Sequence, residues 1–406
     1  MCKIKLLHCA DIHIGAELSY IGNKSKQRRE EILMTFDKIV SICGEENIQL
    51  LLIAGDLFQS SNMDKDIVSS VKKSLKKIPN TIVAIAPGNH DYISIDSFYL
   101  DEDWPENVHI FKSELEFIEF KELGLRLWGA GFTSSYITSS MLSSAESINN
   151  FQDNMVNICI IHGDLISENQ TSNYNPISVS QLKSSGMDYV ALGHIHKRTE
   201  ILKAGNTYYA YSGCCEGEGF DELGEKGVIM GTVMKTMCSL EFCPICKRMN
   251  LELRVDISGT NTNNEAAEIV LNAIKNYEKS LHTKSEMLKQ VQQTSSESIP
   301  VIEPLQYSKH LYKIILEGAL DANFKLDCQA IAARLESEVF FIKINDETHI
   351  EIDMDSLTKE SSLKGIFARK MMDKINKSIN IGNNTDANKY RKALYIGLKA
   401  FERDII

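Results

Sequence analysis

Polar side chains that can bind metal ions or transfer protons follow five short apolar runs in this sequence. They are Asp11 and His13, Asp56, Asn89 and His90, His162, and finally His194 and His196. Carboxylate, imidazole and amide oxygen together suit first-row divalent ions such as Mn²⁺, Fe²⁺ or Zn²⁺. No cysteine stands among them, which argues against a closed structural zinc site. These residue types therefore predict a metal centre that carries out chemistry.

The number of candidate ligands favours two ions over one. One ion takes roughly four to six ligands, water included, whereas these runs offer seven candidates and a spare histidine. Two ions that share a carboxylate can clamp both the attacking and the leaving oxygen of an in-line displacement. Bound metal also lowers the pKa of water, so a hydroxide forms at neutral pH. The predicted chemistry is attack by a hydroxide that two metal ions activate.

The elements that must position these side chains have the pattern of an α/β domain. The apolar runs "IKLL", "LLLIA", "TIVAIA", "VNICII" and "DYVAL" are nearly continuous, as in strands buried on both faces. The segments "REEILMTFDKIVSICGEEN" and "KDIVSSVKKSLKKI" carry apolar residues at helical spacing. Ligands of open α/β sheets bind outside the carboxyl ends of the strands. The five turns are therefore expected to converge.

The second half of the chain has a different texture and predicts further domains. From about Thr207 the sequence becomes strand-like with glycine punctuation, and a smaller α+β unit is expected to follow. The last segment predicts two amphipathic helices. We expect three domains, with boundaries at residues 1–250, 251–355 and 356–406. The histidines outside the turns, His8, His109 and His349, are expected to be ordinary core residues.

Composition is that of an ordinary globular chain of 406 residues, with 43% hydrophobic and 24% charged residues. The net charge of −11 argues weakly against a general nucleic-acid binder. From Ser361 onward, however, ten basic residues face four acidic ones. That tail is either a solvated helix face or a binding surface. Without an export signal or a long apolar run, the ten cysteines predict reduced thiols, a cytoplasmic location and no membrane association.

The ordered series of turns resembles the calcineurin-like metallophosphoesterases. The motifs that carry the resemblance are "ADIH", "AGDLF", "PGNHD", "IHGD" and "ALGHIH", and they cover about residues 3–230. With "GFDELGEKG" added, the chain is similar to the SbcD-type DNA-repair exonuclease branch and its YhaO-like members. The resemblance implies a four-layer α-β-β-α sandwich, followed by a smaller α+β capping domain and C-terminal helices.

The resemblance also implies a role for each polar residue of the turns. Asp11, His13 and His196 would hold one ion, Asn89, His162 and His194 would hold the other, and Asp56 would bridge them. His90 would not bind metal but would stabilise charge on the phosphate or protonate the leaving oxygen. Asp91 either orients His90 or serves only as a turn residue. The expected ions are two Mn²⁺, with Mg²⁺, Fe²⁺ or Zn²⁺ as alternatives.

By resemblance, the chain is a metal-dependent DNA exonuclease or phosphodiesterase in DNA end processing and repair. Its expected partners are DNA, an SbcC-like coiled-coil ABC-type ATPase and a second copy of itself. The chain departs from the family pattern at Gln59, where many nucleases of this branch have a histidine. Because glutamine cannot transfer a proton, this residue bears on exonuclease activity and not on metal binding. Two alternatives stay open. One is a phosphodiesterase or phosphatase for non-DNA substrates, and the other is a largely non-catalytic DNA-binding subunit that regulates an ATPase.

Two surface features have alternative interpretations. The basic segment with Lys24, Lys26, Arg28 and Arg29 either grips phosphates beside the metal centre or is a solvated helix start. In the final helices, one apolar stripe contains Leu363, Phe367 and Met371, and the other contains Leu394, Leu398 and Phe401. These stripes either dock the ATPase or pack within their own domain.

Overall fold

A computed structural model of the protein describes residues 2–142, 154–167, 170–292, 309–321, 323–351, 354–381 and 383–402. The chain divides into two compact units. The first contains residues 1–251 and 282–311, and the second contains residues 252–281 and 312–406. Every predicted metal ligand belongs to the first unit. The three domain boundaries expected from the sequence stay a prediction.

Strands and helices follow one another along the described chain. The strands are β1 (Lys3–Cys9), β2 (Leu50–Ile53), β3 (Ile82–Ile85), β4 (Val108–Ile110), β5 (Glu116–Phe120), β6 (Leu125–Gly129), β7 (Val156–His162), β8 (Leu165–Ile166), β9 (Ile177–Ser178), β10 (Tyr189–Gly193), β11 (Leu202–Ala204), β12 (Thr207–Tyr211), β13 (Gly227–Met234), β14 (Met237–Pro244), β15 (Asn250–Asp256), β16 (Leu311–Glu317), β17 (Ala319–Leu320), β18 (Phe341–Asp346) and β19 (His349–Ile350). The α-helices are α1 (Ser25–Glu45), α2 (Lys65–Leu75), α3 (Val179–Ser184), α4 (Asn263–Gln292), α5 (Cys328–Leu335), α6 (Met354–Leu357), α7 (Leu363–Asn380) and α8 (Asn384–Glu402).

Two six-stranded sheets form the first unit. One has the order β14-β13-β1-β2-β3-β4, and the other has the order β11-β12-β10-β7-β6-β5. The strands that precede the candidate ligands run parallel within each sheet, with β1 beside β2 and β2 beside β3 in one, and β7 beside β10 in the other. Their carboxyl ends therefore meet at one edge of each sheet.

The two sheets share one core. Leu6 and Leu52 of the first sheet lie in the same buried cluster as Leu127, Ile158 and Ala191 of the second. Each fully buried leucine or isoleucine of this cluster stabilises the fold by roughly 1.5–3 kcal/mol. The opposite face of the second sheet is also buried and packs with α3 in a separate cluster. The α/β class expected from the sequence is confirmed.

The histidine of β1 illustrates the core role expected for histidines outside the turns. His8 is fully buried, and its Nδ1 lies 2.9 Å from the hydroxyl of Tyr189. Burial lowers the pKa of His8 to about 3, so the ring is neutral. His8 therefore belongs to the core, as expected.

The second unit contains a three-stranded sheet of β15, β16 and β18, together with the helices at the end of the chain. α7 and α8 pack on each other through Ala368, Ile375, Leu394 and Leu398. Phe367 and Met371 pack against this cluster, whereas Leu363 is 70% exposed. Most of the two apolar stripes therefore packs within its own unit. No helix in the described part of the chain combines the length and the apolar character that a bilayer crossing requires.

Candidate metal centre

All predicted ligands lie where the parallel strands end. Asp11 and His13 follow β1, Asp56 follows β2, and Asn89 and His90 follow β3. On the other sheet, His162 is the last residue of β7, and His194 and His196 follow β10. Because the two sheets pack face to face, these five turns come together, as the sequence predicts.

The backbone at these turns is unusual. Asp11, His13, Asp56 and His194 all have a positive φ, at 50°, 49°, 49° and 103°. Non-glycine residues rarely adopt this conformation, and residues that do so cluster at functional sites. The turns after β1 and β2 hold each other, because the Asp11 N–H donates to the Gly55 carbonyl at 3.1 Å and the His13 N–H to the Asp56 carbonyl at 3.0 Å.

Close packing explains two glycines of the motifs. Gly55 has a φ of 91°, and a Cβ there would lie 2.1 Å from Nδ1 of His162. A Cβ at Gly88 would lie 2.3 Å from Oδ1 of Asp56. Both contacts are far below van der Waals distance. Only glycine lets these two turns approach the side chains of the site.

Asp11, His13 and His196 form the first group of candidate ligands. Their ligand atoms all lie within 4.8 Å of one another. Nε2 of His13 faces Nε2 of His196 at 3.1 Å. Burial lowers the pKa of His13 to about 3 and raises the pKa of Asp11 to about 6. At neutral pH His13 is therefore neutral and can offer a lone pair.

Asn89, His162 and His194 form the second group. Oδ1 of Asn89 lies 3.0 Å from Nε2 of His162 and 3.0 Å from Nδ1 of His194. The Nδ1 of His162 lies 2.9 Å from the carbonyl oxygen of Ala54. A proton on Nδ1 donates to that carbonyl and leaves Nε2 as the ligand atom. Burial lowers the pKa of His194 to about 4, so this ring is also neutral.

Asp56 connects the two groups. Its Oδ2 lies 3.3 Å from Nε2 of His162 and 3.9 Å from Nε2 of His13. Burial by itself would raise the pKa of Asp56, but the charge of His162 and a hydrogen bond from it hold the pKa below its usual range. Conversely, burial disfavours charge on His162, but Asp56 raises the pKa of His162 to about 9. Asp56 is thus ionised between the two groups.

Two carboxylates that were not predicted from the sequence contact His194 and His196 at the ring nitrogens that face away from the other candidate ligands. Glu222 bonds Nδ1 of His196 through Oε1, and Asp164 lies 3.4 Å from Nε2 of His194 through Oδ1. Burial opposes charge on His196, but the hydrogen bond to Glu222 and nearby carboxylates raise its pKa to about 9. Carboxylates commonly fix the ring orientation of metal-bound histidines in this way. Glu222 lies within the quoted "GFDELGEKG", so this motif was the available signal.

The donor set fits divalent metal ions. In each of His162, His194 and His196, one ring nitrogen has an acceptor behind it and the other faces a second candidate ligand. Nδ1 of His13 is buried without a hydrogen-bond partner among the described residues. When His162 and His196 have given up their extra protons, several lone pairs therefore converge with no proton donor of their own between them. One cation on each side of Asp56 would accept these lone pairs, and Asp56 would contact both cations.

His90 lies at the open side of the centre. Its ring is exposed and stands 4.8 Å from the ring of His13, at an interplanar angle of 87°. The His90 N–H donates to Oδ1 of Asp56 at 2.9 Å, and ring Nδ1 lies 3.3 Å from the carbonyl oxygen of Gln59. Ligand atoms of His90, His13 and Asp56 also lie within 4.8 Å of one another. His90 is thus close enough to act on a bound substrate.

Asp91 is placed differently. It is fully buried and accepts from the Gly88 N–H at 2.7 Å, the Phe58 N–H at 3.2 Å and the Tyr99 hydroxyl at 2.6 Å. None of its hydrogen bonds within the described chain reaches the ring of His90. These contacts support the turn role that the sequence left open, and the catalytic assignment of Asp91 stays a prediction.

The phosphate-binding interpretation of the basic segment is wrong for Arg28. Its guanidinium is 1% exposed and pairs with Glu216 at 2.6 Å. Arg29 donates to the carbonyl of Glu17 at 2.9 Å. The sequence shows the charge of Arg28 but not the distant acid that neutralises it.

Comparison with known proteins agrees with this geometry. Residues 4–198 match the model of the calcineurin-like phosphoesterase family. The chain is 29% identical over 250 residues to the uncharacterized metallophosphoesterase YhaO of Bacillus subtilis (strain 168), a match that covers 60% of each chain. It is 24% identical to the SbcD component of the nuclease SbcCD of Staphylococcus epidermidis, over 55% of this chain and 64% of that one.

A third relative is the DNA double-strand break repair protein Mre11 of Saccharolobus solfataricus. It is 23% identical over 285 residues, which cover 66% of this chain and 69% of the relative. The chain thus spans less than two thirds of the length of YhaO and of SbcD. The motifs, their convergence and the family match agree. Residues 4–198 form a calcineurin-like metallophosphoesterase domain, and its homologues include nuclease-type members of that family.

Proposed function

We propose that this protein is a two-metal phosphodiesterase that hydrolyses DNA ends, with Mn²⁺ as its preferred ion. The observation that carries the proposal is the position of Asp56 between two groups of nitrogen and oxygen donors. Its Oδ2 lies 3.3 Å from His162 on one side and 3.9 Å from His13 on the other. A carboxylate in this position can be shared by the two adjacent ions of a two-metal site.

Each side chain has a distinct task in this proposal. Asp11, His13 and His196 hold one ion, Asn89, His162 and His194 hold the other, and Asp56 holds both. When bound, such ions lower the pKa of water and neutralise charge on a phosphate. His90 faces the substrate. Its Nδ1 lies 3.3 Å from the carbonyl oxygen of Gln59, which leaves Nε2 as the ring nitrogen that would donate a proton to the leaving oxygen.

DNA is proposed as the substrate on the strength of two relatives, one named as part of a nuclease and the other as a DNA double-strand break repair protein. The name of the first relative implies a further subunit in that nuclease. The proposal therefore includes an SbcC-like coiled-coil ATPase as a partner, and a homodimer as the working form. The net positive tail that contains α7 and α8 offers a surface for either DNA or that partner.

A nuclease assay tests the proposal. Linear duplex and single-stranded oligonucleotides are incubated with Mn²⁺, with Mg²⁺ or with chelator, in the presence and absence of a candidate ATPase. We expect Mn²⁺-dependent cleavage. His90→Ala should reduce it by about 10²–10⁴-fold, the usual contribution of a general acid, while binding of DNA is retained. The control His109→Ala changes a half-buried histidine of β4 and should cleave like the wild type.

Gln59 favours a second candidate function, that of a DNA-binding protein that regulates an ATPase. Its Oε1 is buried without a hydrogen-bond partner in the described chain, and the residue cannot transfer a proton. If the wild type binds DNA ends and changes ATPase turnover but cleaves nothing with any metal, this second function replaces the first. Hydrolysis of aryl phosphodiesters without cleavage of DNA would instead indicate a small-molecule enzyme.

A further inference from the structure

A row of three rings leads from the metal centre to the surface. The ring of Tyr174 lies 4.7 Å from that of His194, at an interplanar angle of 34°. The ring of Tyr136 lies 5.7 Å from that of Tyr174, at 41°. Tyr136 is 58% exposed. The row therefore begins at a proposed metal ligand and ends in an aromatic face that solvent can reach.

The two tyrosines are held in place by the backbone. The Ile137 N–H donates to the Asn173 carbonyl at 2.8 Å, and the Asn175 N–H donates to the Ile137 carbonyl at 2.6 Å. The carbonyl of Tyr174 accepts from the Asp164 N–H at 2.8 Å. The backbone that carries both rings is therefore fixed before any ligand arrives, which reduces the entropy lost on binding.

The side chain of Asn175 ties this segment to the metal centre itself. Its Nδ2 donates to the carbonyl of His162 at 2.7 Å, and its Oδ1 accepts from the Met141 N–H at 2.8 Å. Asn175 is fully buried and has a φ of 46°. The segment that carries Tyr174 is thus fastened to the end of β7, so the rings keep a fixed distance from the site of chemistry.

An exposed aromatic ring beside a phosphodiester site suits one kind of ligand. Nucleobases stack on tyrosine faces regardless of their sequence, because every base has a π-face. A nucleotide carries its base one sugar away from its phosphate, so a base on this row would leave its phosphate near His194. A base paired inside a duplex has both faces covered by its neighbours and cannot stack in this way.

We propose that Tyr136 and Tyr174 form a stacking subsite for an unpaired terminal nucleobase of the substrate. Tyr136 then determines a preference for ends with an accessible terminal base over abasic ends. The inference rests on the proposed function, since it places the phosphate of that nucleotide at the same metal centre. It adds a substrate feature that none of the predicted metal ligands can recognise.

Binding of modified oligonucleotides tests the subsite independently of cleavage. Single strands carry either 2-aminopurine or an abasic sugar at one end, each end in turn, and are titrated with the full chain in Ca²⁺. Stacking quenches 2-aminopurine fluorescence. We expect quenching, and about tenfold tighter binding of the strand with the base, as typical base–aromatic stacking predicts. A duplex that carries 2-aminopurine only at an internal base pair, where both faces are covered, should show neither effect.

Matched variants assign the effect to the ring. Tyr136→Phe keeps the ring and should keep both quenching and base preference. Tyr136→Leu keeps an apolar side chain without a ring and should lose both, with an unchanged melting temperature. Equal binding of base and abasic strands by the wild type overturns the subsite, and so does full quenching by Tyr136→Leu.

The cleavage assay separates this inference from the proposed function. If DNA is cleaved with no base preference in binding, the subsite is wrong and the proposed function stands. If base preference depends on the Tyr136 ring but no metal supports cleavage, the subsite stands and the proposed function is wrong.

Discussion

The first unit contains two buried clusters of charged or ionisable side chains, and they differ in how their charges are balanced. The ionic cluster contains Arg28, Glu31, Glu216 and Arg248. Arg28 pairs with Glu216 at 2.6 Å, and Arg248 pairs with Glu31 at 2.7 Å. Two guanidinium groups thus face two carboxylates, and Glu216 also accepts from the Lys247 N–H at 2.6 Å.

The metal centre has the opposite composition. Its seven candidate ligands are carboxylates, imidazoles and an amide, so none carries a permanent positive charge. Nε2 of His13 and Nε2 of His196 face each other at 3.1 Å, and a neutral imidazole has a lone pair on one of its two ring nitrogens. The ionic cluster is therefore balanced by guanidinium groups that stay charged, whereas the positive groups of the metal centre are titratable imidazoles, which must lose their extra protons when a metal ion binds.

The first prediction concerns a variant without the Asp56 carboxylate, which lies between the two groups of candidate metal ligands. Asp56→Asn keeps the size of the side chain but not its charge, so both proposed ions lose a shared ligand. Bound Mn²⁺ per chain, measured by mass spectrometry after dialysis, should fall. Phosphodiesterase activity should fall by more than the 10–100-fold that is typical when an outer-shell partner of a metal site is lost. Full Mn²⁺ content in this variant would contradict the bridging role.

The second prediction breaks the ionic cluster instead. Arg28→Ala leaves Glu216 as an uncompensated buried charge, which typically costs about 3–5 kcal/mol of stability. Urea unfolding should show this loss. The double variant Arg28→Met with Glu216→Leu should recover much of it, because a well-packed apolar pair often replaces a buried ion pair at little cost. Lower Mn²⁺ content in Arg28→Ala with unchanged stability would reverse the contrast between the two clusters.

Strands with an unbroken apolar sequence could be predicted, whereas a strand that depends on a buried ion pair could not. β1, β2, β3, β7 and β10 are buried on both faces, so each appears as a continuous apolar run, and the turn that follows each was visible. β6 was not predicted. Its Arg126 interrupts the apolar pattern but is buried by a 2.7 Å pair with Glu119 of the neighbouring strand. That pairing depends on strand order, which a local pattern cannot show.

The candidate ligands could be found because they stand directly after strands, where topology gathers them. Asp164 and Glu222 also lie within quoted motifs, but no local pattern indicates that they reach His194 and His196, because that pairing depends on how the chain packs. Arg28 shows the opposite error, since its charge was visible but its burial against Glu216 was not. Local patterns predict which side chains converge, whereas the partners behind them depend on tertiary packing.

The third prediction tests the support behind one histidine. Glu222→Gln keeps the shape of the side chain but weakens its hold on Nδ1 of His196. Loss of such a partner typically costs 10–100-fold in metal affinity, and Mn²⁺ titration followed by calorimetry should show a loss of about that size. Glu200→Gln is the control, since its side chain is 85% exposed and pairs only with Arg198 in the described chain. An unchanged affinity in Glu222→Gln would remove this carboxylate from the metal centre.

The fourth prediction, with the smallest expected effect, is that protons are released when Mn²⁺ binds. Burial opposes charged imidazoles, but the neighbouring carboxylates raise the pKa of both His162 and His196 to about 9. Both rings therefore hold an extra proton near neutral pH in the metal-free protein. Since a metal ligand must be deprotonated, loading with Mn²⁺ should release about two protons, and the apparent affinity should rise with pH until about pH 9.

Calorimetry in two buffers of different ionisation enthalpy counts these protons. Glu222→Gln should release about one fewer than the wild type, because His196 loses the carboxylate that raises its pKa. Asp164→Asn should leave the count unchanged, since burial already keeps the pKa of His194 at about 4. The ionic cluster takes no part in this exchange, so the double variant Arg28→Met with Glu216→Leu should match the wild type. Equal counts in the wild type and Glu222→Gln would show that the charge on His196 does not come from Glu222.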